Sequence, residues 1–232
     1  MLNKHSYLLL IAMLTVSICS AAQSPATGLA DGYGYVDLGL SVKWATCNVG
    51  ANQPSDFGDY FAWGEIQPKQ SYTKSNSVNY DRAEVDFYDA AAASRGSQWR
   101  MPTEAEMSEL INNCKWQWTT VGGFQGYMVT GKKTGNSIFL PAAGYREADN
   151  RTYIGTQCLY ATRSTGSDDR QNARSLLANE QSATLINIFR YCGMSIRPVV
   201  NTATHEKSNT VVTIDIGRKS STTTTTPAAK SY

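Results

Sequence analysis

Pro102-Thr103-Glu104-Ala105-Glu106-Met107-Ser108-Glu109-Leu110-Ile111-Asn112-Asn113-Cys114-Lys115-Trp116-Gln117-Trp118-Thr119 decides the fold class. Thr103 and Glu106 form an S/T-x-x-E capping box just behind Pro102, the signature of a helix start. Met107, Leu110, Ile111 and Cys114 follow at i, i+3, i+4 and i+7, which is one buried face. Lys115 closes the run, where a cation suits the helix dipole. The next residues, 116–119, are strand-like, and so are 126–130 and 136–140. They are separated by Gly122-Gly123 and by Gly131-Lys132-Lys133-Thr134-Gly135, which reads as a hairpin loop. Upstream, residues 86–94 carry four consecutive alanines and are stopped by Gly96. Helices are thus expected at about 84–95 and 103–114. Residues 35–45 read as β-like with a break at Gly39, 50–58 as a loop, and 59–64 as a short buried strand. The last strand, 194–199, contains Pro198, which places it at an edge or a strand end. Early strands, two helices and then many strands make an α+β domain with a mostly antiparallel sheet.

Composition narrows the chemistry. The chain has 232 residues, 41% hydrophobic and 17% charged, with a formal net charge of +2. Its two histidines are His5 and His205, both outside the compact region, so that region has no Ser-His-Asp triad, Cys-His pair or HExxH zinc helix. Lys4 and His5, the uncharged run 7–18, and the small residues Ser20 and Ala22 read as a signal peptide cut after Ala22. The run is too short to span a hydrocarbon core, which needs about 20 apolar residues. The domain plan is then 1–22 signal peptide, 23–32 flexible leader, 33–200 compact domain, and 201–232 a polar, Thr-rich tail with one possible strand at 210–216. The expected location is secreted, periplasmic or cell-surface, with no membrane span. Residues 23–200 carry 16 basic and 17 acidic side chains. A near-neutral domain with scattered charge is a poor nucleic-acid binder, because phosphate neutralisation needs a clustered basic face.

Cys47, Cys114, Cys158 and Cys192 remain after cleavage. An even count in an exported chain fits two disulfides, with Cys47–Cys114 and Cys158–Cys192 the preferred pairing and buried free thiols the alternative. The spacings match no metal knuckle.

Five phrases occur in order: residues 35–51, 58–65 (Gly-Asp-Tyr-Phe-Ala-Trp-Gly-Glu), 99–103 (Trp-Arg-Met-Pro-Thr), 139–146 (Phe-Leu-Pro-Ala-Ala-Gly-Tyr-Arg) and 193–199 (Gly-Met-Ser-Ile-Arg-Pro-Val). Together they resemble the Fibrobacter succinogenes major paralogous domain family, found in exported proteins of Bacteroidetes, over about residues 33–200. The resemblance implies a C-type-lectin-like fold, related to formylglycine-generating enzyme and to the variable receptors of diversity-generating retroelements. Physics reads the same phrases as scaffold. Trp44, Trp63, Trp99, Phe139 and Tyr145 are large core side chains. Gly50, Gly64, Gly96 and Gly144 are turn or close-approach positions. Arg100 and Arg197 are expected to pair with Asp37, Asp59 or Glu65.

The chain departs from that family at Leu159-Tyr160-Ala161-Thr162-Arg163, where a Tyr-Trp-Ser-Ser-Thr phrase is usual. The following residues are polar and read as a loop-rich segment, 159–191, hung between Cys158 and Cys192. Loops on a rigid scaffold commonly carry recognition. The candidate ligand-binding residues are Tyr160, Arg163, Asp168, Asp169, Arg170, Asn172, Arg174, Asn179 and Arg190, which supply forked donors and an aromatic platform. The expected function is an exported, non-enzymatic binding module for an extracellular glycan or protein. One alternative is a structural subunit of a surface assembly, with the strand at 210–216 pairing with a neighbour. The other is an oxidase resembling formylglycine-generating enzyme, whose two nearby cysteines are matched only by Cys192. No cofactor is expected. Asp168 and Asp169 are the one calcium candidate, the other reading being an acidic turn.

Overall fold

A computed structural model of the chain describes residues 22–166 and 170–201. Residues 1–21 of the expected signal peptide, the tail from 202 with its possible strand at 210–216, and Asp168 and Asp169 lie outside the described residues. The elements run β1 (Gly28–Ala30), β2 (Tyr33–Val36), β3 (Trp44–Ala45), α1 (Ala90–Arg95), β4 (Trp99–Arg100), α2 (Glu104–Asn113), β5 (Cys114–Val121), β6 (Phe124–Gly131) and β7 (Ser137–Pro141). They continue with β8 (Tyr145–Glu147), β9 (Asn150–Thr152), β10 (Gln157–Thr165), β11 (Asn172–Asn179), β12 (Ser182–Phe189) and β13 (Val199–Val200). The strands form four sheets: β1-β2-β3-β13-β4, β5-β6-β7, β10-β11-β12 and the pair β8-β9. Every strand pairing among them is antiparallel, so the class is α+β with mostly antiparallel sheet.

The helix α2 begins as its capping box requires. Thr103 Oγ1 accepts from the Glu106 amide at 3.2 Å, and Glu106 Oε2 accepts from the Thr103 amide at 2.8 Å. Met107 and Leu110 are buried. Glu106 also takes two bonds from Arg100, at 2.8 and 2.5 Å. Arg100 therefore pairs with the helix cap and not with Asp37, Asp59 or Glu65. The first helix is shorter than expected, starting at Ala90 and not near 84. Asp89 is its N-cap, accepting from the amides of Ala91 and Ala92. Upstream, the Asp86 carbonyl accepts from Asn79 and the Tyr88 amide donates to Gly64, so residues 86–88 lie extended across Trp63. Residues 23–32, expected as a flexible leader, carry β1, which pairs with β2; the Ser24 amide donates to the Ser137 carbonyl at 3.0 Å.

The main core joins Val36, Leu38, Trp44, Met107, Leu110, Val129, Ile138, Leu140, Tyr160 and Leu176. Trp44, Trp63, Trp99 and Phe139 are buried, while Tyr145 is half-buried. Gly144 is a true close approach: its φ is +59°, and a Cβ there would run into the Thr152 carbonyl. Arg197 is fully buried and finds no carboxylate. Its Nε donates to Asn48 Oδ1 (2.8 Å), Nη1 to the carbonyls of Ala45 and Thr46 (3.2 Å each), and Nη2 to that of Phe139 (2.8 Å). Arg95 likewise donates to the carbonyls of Cys47 and Asn48. Burial first, and the neighbouring Arg197 second, lower the Arg95 pKa to about 10. With charge-assisted bonds to carbonyls, Arg197 staples Asn48 and the end of β3 to β7, and Arg95 ties Cys47 and Asn48 to α1.

Two expectations are corrected here. The four cysteines are free thiols, in neither Cys47–Cys114 nor Cys158–Cys192. Three of them are taken up by packing, each in its own place, and Cys47 is half-buried. Cys114 and Cys158 lie in the main core, Cys158 donating to the Leu140 carbonyl, and Cys192 is buried in the turn after β12. Burial raises their pKa values, to about 11 for Cys114 and about 12 for Cys158 and Cys192. The segment 159–191 is also not loop-rich. Its described residues carry the three-stranded sheet β10-β11-β12: β11 and β12 pair in continuous register from Asn172↔Phe189 to Asn179↔Ser182, and β10 pairs with β11 with a register shift between Ala161 and Thr165. The buried residues of β11 include Ala173, Ser175 and Ala178, small side chains that read as neutral or polar in the sequence.

Candidate ligand-binding site

The sheet β10-β11-β12 has two ends, and most of the expected site residues lie toward the Asn172/Phe189 end, with Asn179 at the other. Tyr160 is fully buried, its hydroxyl donating to the Pro141 carbonyl and accepting from Asn48. It is core and not a surface platform, a correction of its expected role. Arg190 is buried, lies 4.7 Å over the Trp63 ring, and donates to the carbonyls of Asn172 and Asn79. Arg174 is spent on Glu104 Oε1 (2.7 Å) and Asn187 Oδ1 (3.1 Å), tying α2 to the sheet. Asn172 begins β11 and supplies its carbonyl to Arg190. Arg163 is exposed, with its guanidinium 5.7 Å from the Phe87 ring centre. Arg170 is exposed beside a cleft of about 410 Å³ shared with Arg82, Thr165, Gly166 and Arg190. The aromatic residues at this end are also occupied with one another. Phe189 and Tyr191 stack at 5.3 Å, Tyr80 meets both edge-on, and Lys74 Nζ lies 5.5 to 6.0 Å from all three rings. Tyr191 donates to Glu147 at 2.6 Å, and Tyr80 to Gln171 at 3.1 Å.

The opposite end is the β11–β12 turn. Asn179 Oδ1 accepts from the amides of Gln181 and Ser182, which fixes the turn and presents Glu180 and Gln181 outward. Asn179 is thus a turn builder, set beside the site. Its carbonyl accepts from the Tyr127 hydroxyl at 2.5 Å, tying this turn to the sheet β5-β6-β7. Tyr127 is buried between Trp116 and Trp118, both edge-on at 5.1 and 5.0 Å. Trp116 and Trp118 share a face of β5 because strand side chains alternate. Trp118 is left half-buried. A third segment, 153–156, joins β9 to β10. Tyr153 holds a positive φ of 60°, unusual for an aromatic residue, and its carbonyl accepts from the amides of Thr156 and Gln157.

These three segments converge on one groove of about 330 Å³. Trp118, Gln125, Gly155, Thr156, Glu180 and Gln181 line it. Phe124 and Ile154, each a chain neighbour of a lining residue, and Tyr153, two residues before Gly155, are 40%, 41% and 51% exposed. The chemistry is an indole face with two amides, a hydroxyl and a carboxylate around it, next to exposed aromatic residues. Of the expected segment 159–191, only Glu180 and Gln181 take part. Trp118, Gln125 and Thr156 were missed. The sequence signal for them is two tight turns, Gly122-Gly123 and Asn179-Glu180-Gln181-Ser182, each between alternating runs.

Among the described residues, no group of three or more His, Cys, Asp and Glu side chains is placed to hold a metal ion, and no helix is long and apolar enough to cross a membrane. The fold defines the class, an α+β domain of mostly antiparallel sheet with a loop-built aromatic groove. No family model matches the chain, and no curated protein or solved structure matches it.

Proposed function

We propose that this chain is a non-enzymatic binding module of an exported protein, and that it takes a neutral glycan in the Trp118 groove. The likeness of residues 33–200 to the paralogous domain family, and with it the C-type-lectin-like fold, is part of the same reading. One observation carries it: three separate segments bring a half-buried tryptophan together with Gln125, Thr156, Glu180 and Gln181. A sugar ring has apolar C–H faces and a rim of hydroxyls that both donate and accept. An indole covers such a face without a conformational cost. Glutamine amides both donate and accept, the threonine hydroxyl does the same, and a glutamate carboxylate accepts. A concave site with few, fixed polar groups is the usual form of a small-ligand site.

The test is a glycan array on the purified chain, with and without EDTA. Binding is expected, with affinity falling about 10- to 100-fold in Trp118→Ala, or about 1.4 to 2.8 kcal/mol. Binding that Trp118→Ala leaves intact would overturn the site. No binding to any glycan would overturn the ligand class and point to a protein partner. Loss in EDTA would implicate a calcium ion.

A further inference from the structure

A second surface, away from the Trp118 groove, is apolar and uncovered among the described residues. Ile66, Val78 and Tyr88 are 38%, 45% and 59% exposed. With Gly64, Glu65 and Gln67 they line a groove of about 260 Å³. Ile66 and Gln67 also line an adjoining groove of about 250 Å³, whose walls include Phe61, Pro68, Ala93 and Ser94. The shared residues make one furrow, running from α1 across Ile66 to Val78 and Tyr88. Its floor is fixed: the Tyr88 amide donates to Gly64, the Glu65 amide to Ala62, and Trp63 packs on Phe87 at 4.8 Å. Neighbouring large apolar side chains on a rigid surface mark a docking site.

The chain supplies a matching occupant. The Asn201 amide donates to the Gln98 carbonyl at 2.7 Å, and its side chain donates to that of Ser97. The chain therefore leaves the described fold just past the end of α1, three residues beyond the Ser94 wall of the furrow. Residues 202–209 can span about 27 Å when extended, which is ample reach. Then comes Thr210-Val211-Val212-Thr213-Ile214-Asp215-Ile216. In extended form Val212, Ile214 and Ile216 fall on one side, and Val211, Thr213 and Asp215 on the other. Such a segment is about 23 Å long and has an apolar side that needs cover.

We propose that residues 210–216 lie extended along the furrow of their own chain, with Val212, Ile214 and Ile216 against Ile66, Val78 and Tyr88. This assignment is independent of the glycan reading. The test is amide hydrogen exchange, read by mass spectrometry on the full chain, at two protein concentrations. It compares the wild type with the double variant Val212→Asp, Ile214→Asp and with Val78→Asp. Both double-variant substitutions lie beyond the described fold, so the folded domain itself is left unaltered. Exchange over 64–67 and 86–88 is expected to be at least about 5-fold faster in the double variant, and unchanged over 118–125. Val78→Asp is expected to speed exchange over 210–216 in turn. Equal rates in wild type and double variant would overturn the proposal. Protection that rises with concentration, together with a doubled mass, would assign the furrow to a second copy's segment and overturn docking within one chain.

Discussion

The two ends of the β10-β11-β12 sheet use similar side chains for opposite purposes. At the Asn172/Phe189 end, arginine and aromatic residues satisfy one another: Arg190 sits on Trp63, and Lys74 on the Tyr80, Phe189 and Tyr191 rings. At the Asn179/Ser182 end, the half-buried Trp118 meets Tyr127 edge-on and packs on the main core, with Gln125, Glu180 and Gln181 around the groove. At one end Arg190, Arg174 and the aromatic cluster are thus taken up by the fold, while Arg163 and Arg170 stay exposed. The proposed groove at the other end is lined by Trp118 and Gln125 from β5 and β6, by Gly155 and Thr156, and by Glu180 and Gln181 from a tight turn. Side-chain chemistry alone does not separate the two; what separates them is whether neighbouring elements already supply the partners.

The sharpest way to break this comparison is to remove one side chain at each end. Arg190→Ala is expected to destabilise the fold by about 3 kcal/mol, since it strips charge-assisted bonds from buried carbonyls and uncovers Trp63. Gln181→Ala is expected to stay within about 0.5 kcal/mol, as an exposed turn residue. Urea denaturation midpoints measure both. Equal effects would mean that the ends are not different in kind.

Acid acts on the anchor between α2 and the sheet. Burial raises the Glu106 pKa, but the Arg100 hydrogen bond and the Thr103 amide outweigh it, so the net shift is downward from 4.5. A carboxylate with a depressed folded pKa stabilises above its unfolded pKa, and that contribution is lost as pH falls through the folded value. Stability is therefore expected to drop by about 1 kcal/mol below pH 4.5, the scale of a lost helix cap. Glu106→Gln should flatten this part of the profile. A thermal-melt series from pH 6 down to pH 3 reads it, and an identical slope in the variant would remove Glu106 as the cause.

A small effect is also expected at Lys74. Its ammonium faces three rings in an exposed position, so Lys74→Ala should cost only about 0.5 to 1 kcal/mol. Glycan affinity should not change. A change in affinity on this substitution would show that the two ends are coupled through the sheet.

Much of the scaffold was legible in the sequence. The capping box Thr103–Glu106 and its apolar spacing placed α2, and the glycine turns placed β5, β6 and β7, because these are local signals carried by adjacent residues. The start of α1 was misplaced, since alanine favours helix while Asp89 decides where it begins. The β11 strand was hidden by Ala173, Ser175 and Ala178, whose burial comes from packing and not from their polarity. The disulfide expectation failed for a similar reason: cysteine count reflects composition, while the place of each thiol in the fold is set by contacts distant in the chain.

What the sequence determined by itself is the α+β class, the second helix and the paired strands after it, through local periodicity, caps and turns. The tertiary structure alone decided that Tyr160 is core, that Arg190 and Arg197 are staples, and that Trp118 lines one groove with Gln125, Thr156 and Gln181. Those assignments depend on which distant residues come within hydrogen-bond or van der Waals reach, and no local pattern encodes that.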